Sequence, residues 1–295
     1  MDCLQLRHLS QPFDVFHHLG PVGFKTPSSM HKFDVPSYWG PIGGFQFVNL
    51  RLAIRSGKKY FLISLLRNVL TYFVARSWVV RAAVNGFDEV SFATRTNHLN
   101  FKAIYGVTGP VISDQAVRME CVSRHSRAET RGARRLEVVW CGSVDARKNI
   151  KLLLDIAKRA KGKGLNIIFN VVGDGPLLKR SENSSRILGL SVVFHGHLPR
   201  PEVVDIFRLS DVVLSTSLSE ANTATFFEGL ESICIPIALD LDGFSTNITP
   251  DIGFLVDTDL PYVMIVDKFV EYLEEESKVR CESKKENVNM ELQKI

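Results

Sequence analysis

Two glutamates and the small residues between them offer the first sign of chemistry in this sequence. In SLSEANTATFFEGLESICIPIA, Glu220 and Glu228 are separated by seven residues, and a helix expected to begin near positions 222–224 puts the first in a loop and the second one or two turns along the helix. Small residues at that start, Ala221, Thr223, Ala224 and Thr225, leave backbone N–H groups free, and these together with the helix macrodipole bind phosphate. Carboxylates on either side of a phosphate can hold hydroxyls. Taken alone, the pair reads more readily as a capping acid and a solvated helix residue, because most charged side chains lie on the surface.

The elements that would position these residues are legible from Leu136 onward. Short β-branched runs alternate with amphipathic stretches: LEVVWCG, NIKLLLDIAKRA, LNIIFNVVG, PLLKRSENSSRIL, SVVFHG, RPEVVDIFRLS, DVVLSTS. Near-continuous apolar strands joined by single helices predict a parallel sheet covered on both faces, because parallel pairing needs a crossover. Ligands of such sheets sit beyond the carboxyl ends of the strands, which directs attention to the loops after VVWCG, NVVG, VVFHG and VVLSTS. Gly173 and Gly175 in VVGDGP do not make a dinucleotide fingerprint, for want of a third glycine.

The first half is less regular. Strands are expected within 13–19, 35–40 and 87–94 and at 110–112, with a long helical region over 57–85 and a short helix near 95–105. The resulting α/β organisation is a partial N-terminal domain over 1–122, a basic linker over 123–135 without periodicity, a doubly wound domain over 136–262, and a C-terminal helix and tail over 263–295. The tail, KVRCESKKENVNMELQKI, is too charged to pack and is expected to fray.

The blocks GSVDARKNIKLLLDIAK (142–158), VVGDGPLL (171–178), VVFHGHLPRPEVVDIF (192–207), the Glu-x7-Glu segment and IPIALDLDGFSTNITPDIGFLV (235–256) resemble, in order and spacing, the nucleotide-binding domain of family-four glycosyltransferases. Upstream, FDVFHHL and PSYWGPIGGF look like the His-bearing strand and Gly-Gly loop of one branch of that family. The resemblance runs from about Phe13 to about Leu260. It implies a GT-B-like fold of two Rossmann-like parallel-sheet domains, the N-terminal one incomplete because the chain begins almost at the His-bearing strand. It also implies a retaining glycosyltransferase that moves a sugar from a nucleotide diphosphate to a glycan or lipid-linked acceptor in bacterial cell-surface polysaccharide biosynthesis, with no metal or other cofactor.

Residue by residue, the resemblance assigns Lys148 to the donor diphosphate, Glu228 to the ribose hydroxyls and Glu220 to the donor sugar. It places the backbone of Asn222, Thr223, Ala224 and Thr225 at the β-phosphate and Gly196, His197 and Leu198 at the base. Gly142, Gly173 and Gly175 line the donor pocket, and His17 or His18 contacts the donor sugar. The rival reading of either histidine is a hydrogen-bonded structural residue. Gly43 and Gly44 read as a wall near the donor or as a tight turn.

The sequence departs from the family pattern at two positions in this domain. Ser143 stands where an Arg usually helps neutralise the diphosphate, and Arg147 is a weak substitute if residues 147 and 148 begin a helix, where neighbours point apart. Gly229 stands where Ala is common, and a helix-interior Gly costs about 1 kcal/mol. With the short N-terminal domain, these departures keep open a non-catalytic nucleotide-sugar-binding subunit, completed by a partner chain, and more remotely a nucleotide-sugar epimerase.

Composition excludes broad alternatives. The 295 residues, 45% hydrophobic and 23% charged with 20 Gly and 12 Pro, are those of an ordinary α/β protein. A net charge of +4 suits anionic small molecules or a membrane surface, and no nucleic-acid motif accompanies it. Cys3, Cys121, Cys141, Cys234 and Cys281 are scattered without a CxxC pair, which fits a reducing cytoplasm better than a disulfide or zinc framework. The N-terminus lacks a signal-peptide core, and Arg67, Arg76 and Arg81 interrupt the most apolar stretch, so no span is expected. That stretch suits the inner face of a cell membrane as an interfacial helix, but burial against its own sheet with arginines reaching outward is the favoured reading.

Overall fold

The computed structural model describes residues 13–20, 23–114, 135–221, 224–232 and 234–292. The chain divides into two compact units, one formed by 13–48 and 64–114 and the other by 49–63 and the residues from 135 onward. The expected linker lies outside the described residues except for Arg135.

The second unit is the doubly wound domain. Its strands are β4 (Leu136–Cys141), β5 (Ile167–Val172), β6 (Val192–Gly196), β7 (Val212–Ser215), β8 (Ile235–Leu239) and β9 (Phe254–Val256). They form one parallel sheet in the order β6-β5-β4-β7-β8-β9. Chain order runs outward from β4 in one direction and from β7 in the other, so the sheet has a topological switch point between those two strands. Val138, Val139, Trp140, Val171, Val212 and Ile237 are buried, as near-continuous apolar strands require when both faces are covered.

Helices α5 (Ile150–Gly162), α6 (Leu178–Leu188), α7 (Arg200–Leu209), α8 (Ala224–Glu231) and α9 (Asp242–Asn247) connect the strands. The final helix, α10 (Tyr262–Leu292), buries Ile265, Val266, Phe269, Val270 and Leu273, one stripe at helical spacing. Tyr262 donates to Asp155 at 2.6 Å, and Arg159–Asp267 and Lys163–Glu274 pairs tie α10 along α5. α10 continues through Leu292, into the charged tail. A Glu274–Lys278 pair at i,i+4, the spacing that supports a helix without packing, leads into that tail.

Helix α1 (Leu50–Ser56), which sequence placed in the N-terminal domain, groups with the second unit. Asn49 caps it by accepting from the N–H groups of Arg51 and Leu52, and also donates to Thr258 O at 3.3 Å. Ser56 donates to the carbonyl of Ala146, and Lys151 to that of Arg55 at 3.1 Å, so α1 abuts the turn that precedes α5.

The first unit has a parallel sheet of three described strands, β1 (Phe16–His18), β2 (Ser37–Ile42) and β3 (Glu89–Phe92), in that order, with a further bridge from Phe92 to Val111. Helices α2 (Lys58–Ala75), of which Ser64 onward belongs to this unit, α3 (Trp78–Gly86) and α4 (Arg95–Tyr105) accompany it. Its core is aromatic, with Phe24, Trp39, Phe45, Phe87, Phe92 and Phe101 buried together. The favoured expectation for the apolar stretch fails here: Leu66, Leu70, Phe73 and Trp78 are exposed.

Alternation along β1 separates the two histidines. His18 is buried beside Trp39 and Phe87, and its Nε2 has no hydrogen-bond partner among the described residues. His17 is exposed, with Nε2 2.8 Å from the carbonyl of Gly40. Burial, assisted by the charge of His17, lowers the pKa of His18 below its ordinary value. In the unfolded chain His18 takes up a proton near pH ~6.5, whereas the folded chain resists it until lower pH, so unfolding is favoured as pH falls through that window. Thermal melts between neutral pH and pH ~5 are therefore expected to show a falling melting temperature that His18→Leu makes shallower. Parallel profiles for the two proteins would mean that His18 is not held neutral by burial. His195 in the second unit, also lowered by burial, contributes a slope of the same sign to both.

Candidate active site

The four loops at the carboxyl ends of β4 to β7 are bonded into one structure. The Gly142 N–H donates to Val172 O at 2.9 Å, and the Gly173 N–H to Gly196 O at 2.7 Å, which stacks the loops after β4, β5 and β6. Val144 N–H donates to Asp174 O, and Leu177 N–H returns to Val144 O. On the other side of the switch point, Leu218 N–H donates to Arg147 O at 2.9 Å, and the Thr216 hydroxyl to Lys148 O at 2.8 Å. Buried Trp140 in turn donates its indole N–H to that hydroxyl at 2.9 Å.

Glycine is required where these loops cross. A Cβ on Gly173 would stand 2.0 Å from Gly142 O, and one on Gly175 would stand 2.6 Å from Val144 O, closer than real Cβ atoms come. Gly142 and Gly173 also have φ of +151° and +130°, and Gly196 ends β6 at +68°, conformations that L side chains rarely adopt. Gly229 has a packing reason too. Its Cβ would meet Val213 Cγ1 at 2.6 Å, so α8 lies against β7 at a distance that Ala does not allow, and the local propensity cost is offset by this approach.

A charge cluster sits on this scaffold at the switch point. Glu220 Oε1 accepts from Lys148 Nζ at 2.7 Å and from the Ser217 hydroxyl at 2.6 Å, and Arg147 Nη1 reaches the same oxygen. Lys148 and Glu220 are largely buried, at 12% and 13% side-chain exposure, so this is not a solvent-screened surface pair. Sequence reasoning set Arg147 aside on the premise of a helix start. In the structure α5 begins only at Ile150, and residues 145–149 form a turn in which the Lys148 N–H donates to Asp145 Oδ1 at 2.8 Å. Within that turn both cations converge on one carboxylate.

Asn149 closes the turn in the left-handed region, at φ 54° and ψ 51°. It is buried, and both of its side-chain amide atoms lack a partner among the described residues. Sequence reasoning missed this position, and the RKN tripeptide gives no local sign of it.

Glu228 lies on α8, half-buried, and approaches Arg200 Nη2 at 3.5 Å. Cys141, at the end of β4, registers both sides of the site. Burial and then the Glu228 carboxylate push its thiol up to about 11, opposed by the Lys148 ammonium. Lys148 of the loop after β4 meets Thr225 and Phe226 of the Glu-x7-Glu segment at this edge of the sheet. A small cavity there is lined by Cys141, Lys148, Ser215, Thr225 and Phe226.

Among the other expected residues, Ala224 and Thr225 begin α8, while Asn222 and Thr223 lie outside the described residues. Gly196 ends β6 and His197 and Leu198 follow it, with the Leu198 side chain packed alongside Cys141, Val203 and Ile206 against a core cluster. His17 and His18 belong to the other unit. Chemically, the cluster offers two cations and a helix N-terminus to an anion and two carboxylates to hydroxyls.

A family model described as glycosyl transferases group 1 matches residues 124–288. No curated protein matches the chain. Among solved structures, WaaG, a glycosyltransferase involved in lipopolysaccharide biosynthesis, is 14% identical over 97% of this chain and 76% of its own, with a TM-score of 0.57. S. aureus TarM, in a mutant complex with fondaparinux, alpha-GlcNAc-glycerol and UDP, is 15% identical over 87% of this chain and 48% of its own, with a TM-score of 0.55. The pneumococcal O-GlcNAc transferase GtfA, in complex with UDP and GlcNAc, is 16% identical over 70% of this chain and 43% of its own, with a TM-score of 0.52. The chain therefore spans about half the length of the last two. At these identities the likeness establishes the fold, which is GT-B-like, with a smaller parallel sheet in the N-terminal unit. Because the matched stretch covers more than half of the chain and every strand of the six-stranded sheet, the chain belongs to the group 1 glycosyl transferases.

Proposed function

We propose that the chain binds a nucleotide diphosphate sugar at the switch point between β4 and β7 and transfers the sugar, with retention, to a glycan or lipid-linked acceptor in cell-surface polysaccharide assembly. The observation that carries this reading is the convergence of Lys148 and Arg147 on Glu220 beside the start of α8. A largely buried lysine, a more exposed arginine and a helix N-terminus suit a diphosphate, and the charge they supply is what a metal would otherwise supply, so transfer is expected to survive a chelator. Crystals of the fold relatives TarM and GtfA contain UDP, which makes uridine the first base to try.

In this reading Lys148 and Arg147 hold the diphosphate, the N–H groups of Ala224 and Thr225 the β-phosphate, Glu228 the ribose, and the main chain of Gly196 to Leu198 the base. Gly142, Gly173 and Gly175 let the loop backbones approach the donor. Glu220 meets the sugar. The bond from the anomeric carbon to the β-phosphate oxygen breaks, the acceptor oxygen bonds that carbon on the same face, and the acceptor's proton passes to the departing phosphate. Negative charge grows on the leaving group as this happens, and preorganised cations lower the barrier.

Calorimetric titration with UDP, GDP and their sugars tests the donor half. Saturable binding at micromolar to millimolar Kd is expected, lost in Glu228→Ala. Absence of binding across the panel, or equal binding by the variant, would overturn the assigned site. The three-stranded sheet of the first unit favours a second reading, a subunit that binds the donor without turnover. Sugar transfer by the purified chain would eliminate it.

A further inference from the structure

Helix α2 is amphipathic in the reverse sense. Its inward positions in the first unit are Ser64, Asn68, Thr71 and Ala75, whose spacing of four, three and four puts them on one face. Ser64, Thr71 and Ala75 are at most 1% exposed, and Asn68 clamps the N–H and carbonyl of Val48 through two bonds of 2.9 Å. The Ser64 and Thr71 hydroxyls have no partner among the described residues. Leu66, Val69, Leu70 and Phe73 lie opposite, with Leu66 and Phe73 69% and 66% exposed, and Trp78 at the start of α3 adds a ring that is 79% exposed. In water a helix buries its leucines and exposes its hydroxyls, and a contiguous apolar face of this kind marks an interaction surface.

Charge selects the occupant. Between Asp34 and Asp88 the sequence has no Asp or Glu, but seven Lys and Arg. Arg76 lies over the Tyr72 ring at 3.7 Å and Arg81 lies 5.8 Å from the Tyr105 ring, so both guanidinium groups are held beside this apolar surface. A second copy of the chain would set these arginines against their own copies with no acid to pair. A bilayer with acidic headgroups supplies phosphates for the arginines and hydrocarbon for the leucines. No helix among the described residues is long and apolar enough to cross a membrane, so the fit is to the interface.

We propose that the outward face of α2 and the start of α3 dock on an anionic lipid surface, with Leu66, Leu70, Phe73 and Trp78 entering the headgroup boundary and Arg67, Arg76 and Arg81 meeting phosphates. The inference rests on this face alone and not on the donor site, which a vesicle assay does not read.

The test is flotation of the full chain with vesicles of phosphatidylcholine alone and of phosphatidylcholine with roughly one third phosphatidylglycerol. Binding to the anionic vesicles, weaker at high salt, is expected to fall at least about tenfold in Leu66→Glu/Phe73→Glu and also in Arg76→Glu/Arg81→Glu. All four side chains are exposed, and circular dichroism of each variant verifies that it is folded. Failure of the wild type to float with anionic vesicles would overturn the proposal. So would equal flotation of the variants, or a wild-type dimer that Leu66→Glu/Phe73→Glu converts to a monomer, which would make this face a contact between copies.

Discussion

Gly173→Ala is expected to lower the melting temperature of the second unit by about 10 °C. The added Cβ would stand 2.0 Å from Gly142 O and 2.9 Å from Gly142 C, and both are backbone atoms that cannot rotate away. The φ of +130° adds strain for any L side chain, on the order of 1–3 kcal/mol. Separating the loops to relieve the clash stretches the bonds from Gly142 to Val172 and from Gly173 to Gly196, each worth about 1 kcal/mol. Overpacking of this kind costs roughly 1–3 kcal/mol more. The total is ~4–8 kcal/mol, and its low end alone converts to a shift of about 10 °C at about 2–4 °C per kcal/mol for a unit of this size. Gly162→Ala is the control. Nothing lies within 4 Å of its Cβ position, φ is not in the left-handed region, and helix propensity favours the change. Scanning calorimetry of the two variants separates the loop-stack effect from a generic glycine effect. If Gly173→Ala melts with the wild type, the loops after β4, β5 and β6 do not depend on that close approach.

What could be read from sequence followed from how local the cause was. The runs LEVVWC, IIFNVV and VVLS are apolar almost without interruption, a pattern that only strands covered on both faces require, and β4, β5 and β7 lie on them. Their spatial order is set by crossovers, and it was reached through the rule that parallel strands need them. Arg147 was not legible as a site residue because its role depends on where α5 starts, and Asn149 delays that start by adopting the left-handed region. No local pattern announces this, since Asn is tolerated there as well as in a helix. The contact of Arg147 with Glu220 joins loops more than seventy residues apart. The orientation of α2 was misread for a different reason. Its abundant leucines suggested burial, whereas the recurrence of Ser64, Asn68, Thr71 and Ala75 on one face was the available sign that the small and polar side turns inward. Which of His17 and His18 turns inward depends on Trp39 and Phe87, distant in sequence, which flank the buried His18.

Opposite effects on nucleotide binding are expected from Lys148→Ala and Glu220→Gln, although the two residues form one ion pair. Lys148 loses a charge-assisted contact to the diphosphate, worth about 1.5–3 kcal/mol, so Kd for UDP should rise roughly 10- to 150-fold. In the proposed site Glu220 would compete with the diphosphate for the same cations, because Lys148 and Arg147 both converge on its Oε1. Replacing its charge leaves Arg147 and Lys148 free to face phosphate, and UDP should bind about tenfold tighter, a change of ~1.4 kcal/mol. A UDP sugar should gain less than UDP if Glu220 meets the sugar as proposed, since that carboxylate is gone. In the double variant the tightening should shrink to the share carried by Arg147, and this makes the coupling a measure of how directly Lys148 and Glu220 oppose each other. A buried pair can also behave otherwise. If the carboxylate organises the cations more than it competes for them, Glu220→Gln will weaken UDP binding as Lys148→Ala does, because Lys148 would then be left without a partner in a half-buried site. Calorimetric titration of the two single variants and the double variant decides between these outcomes. Weakening in Glu220→Gln would show that the cluster is a structural clamp between the loops after β4 and β7, and the assignment of Lys148 to the diphosphate would lose its electrostatic basis.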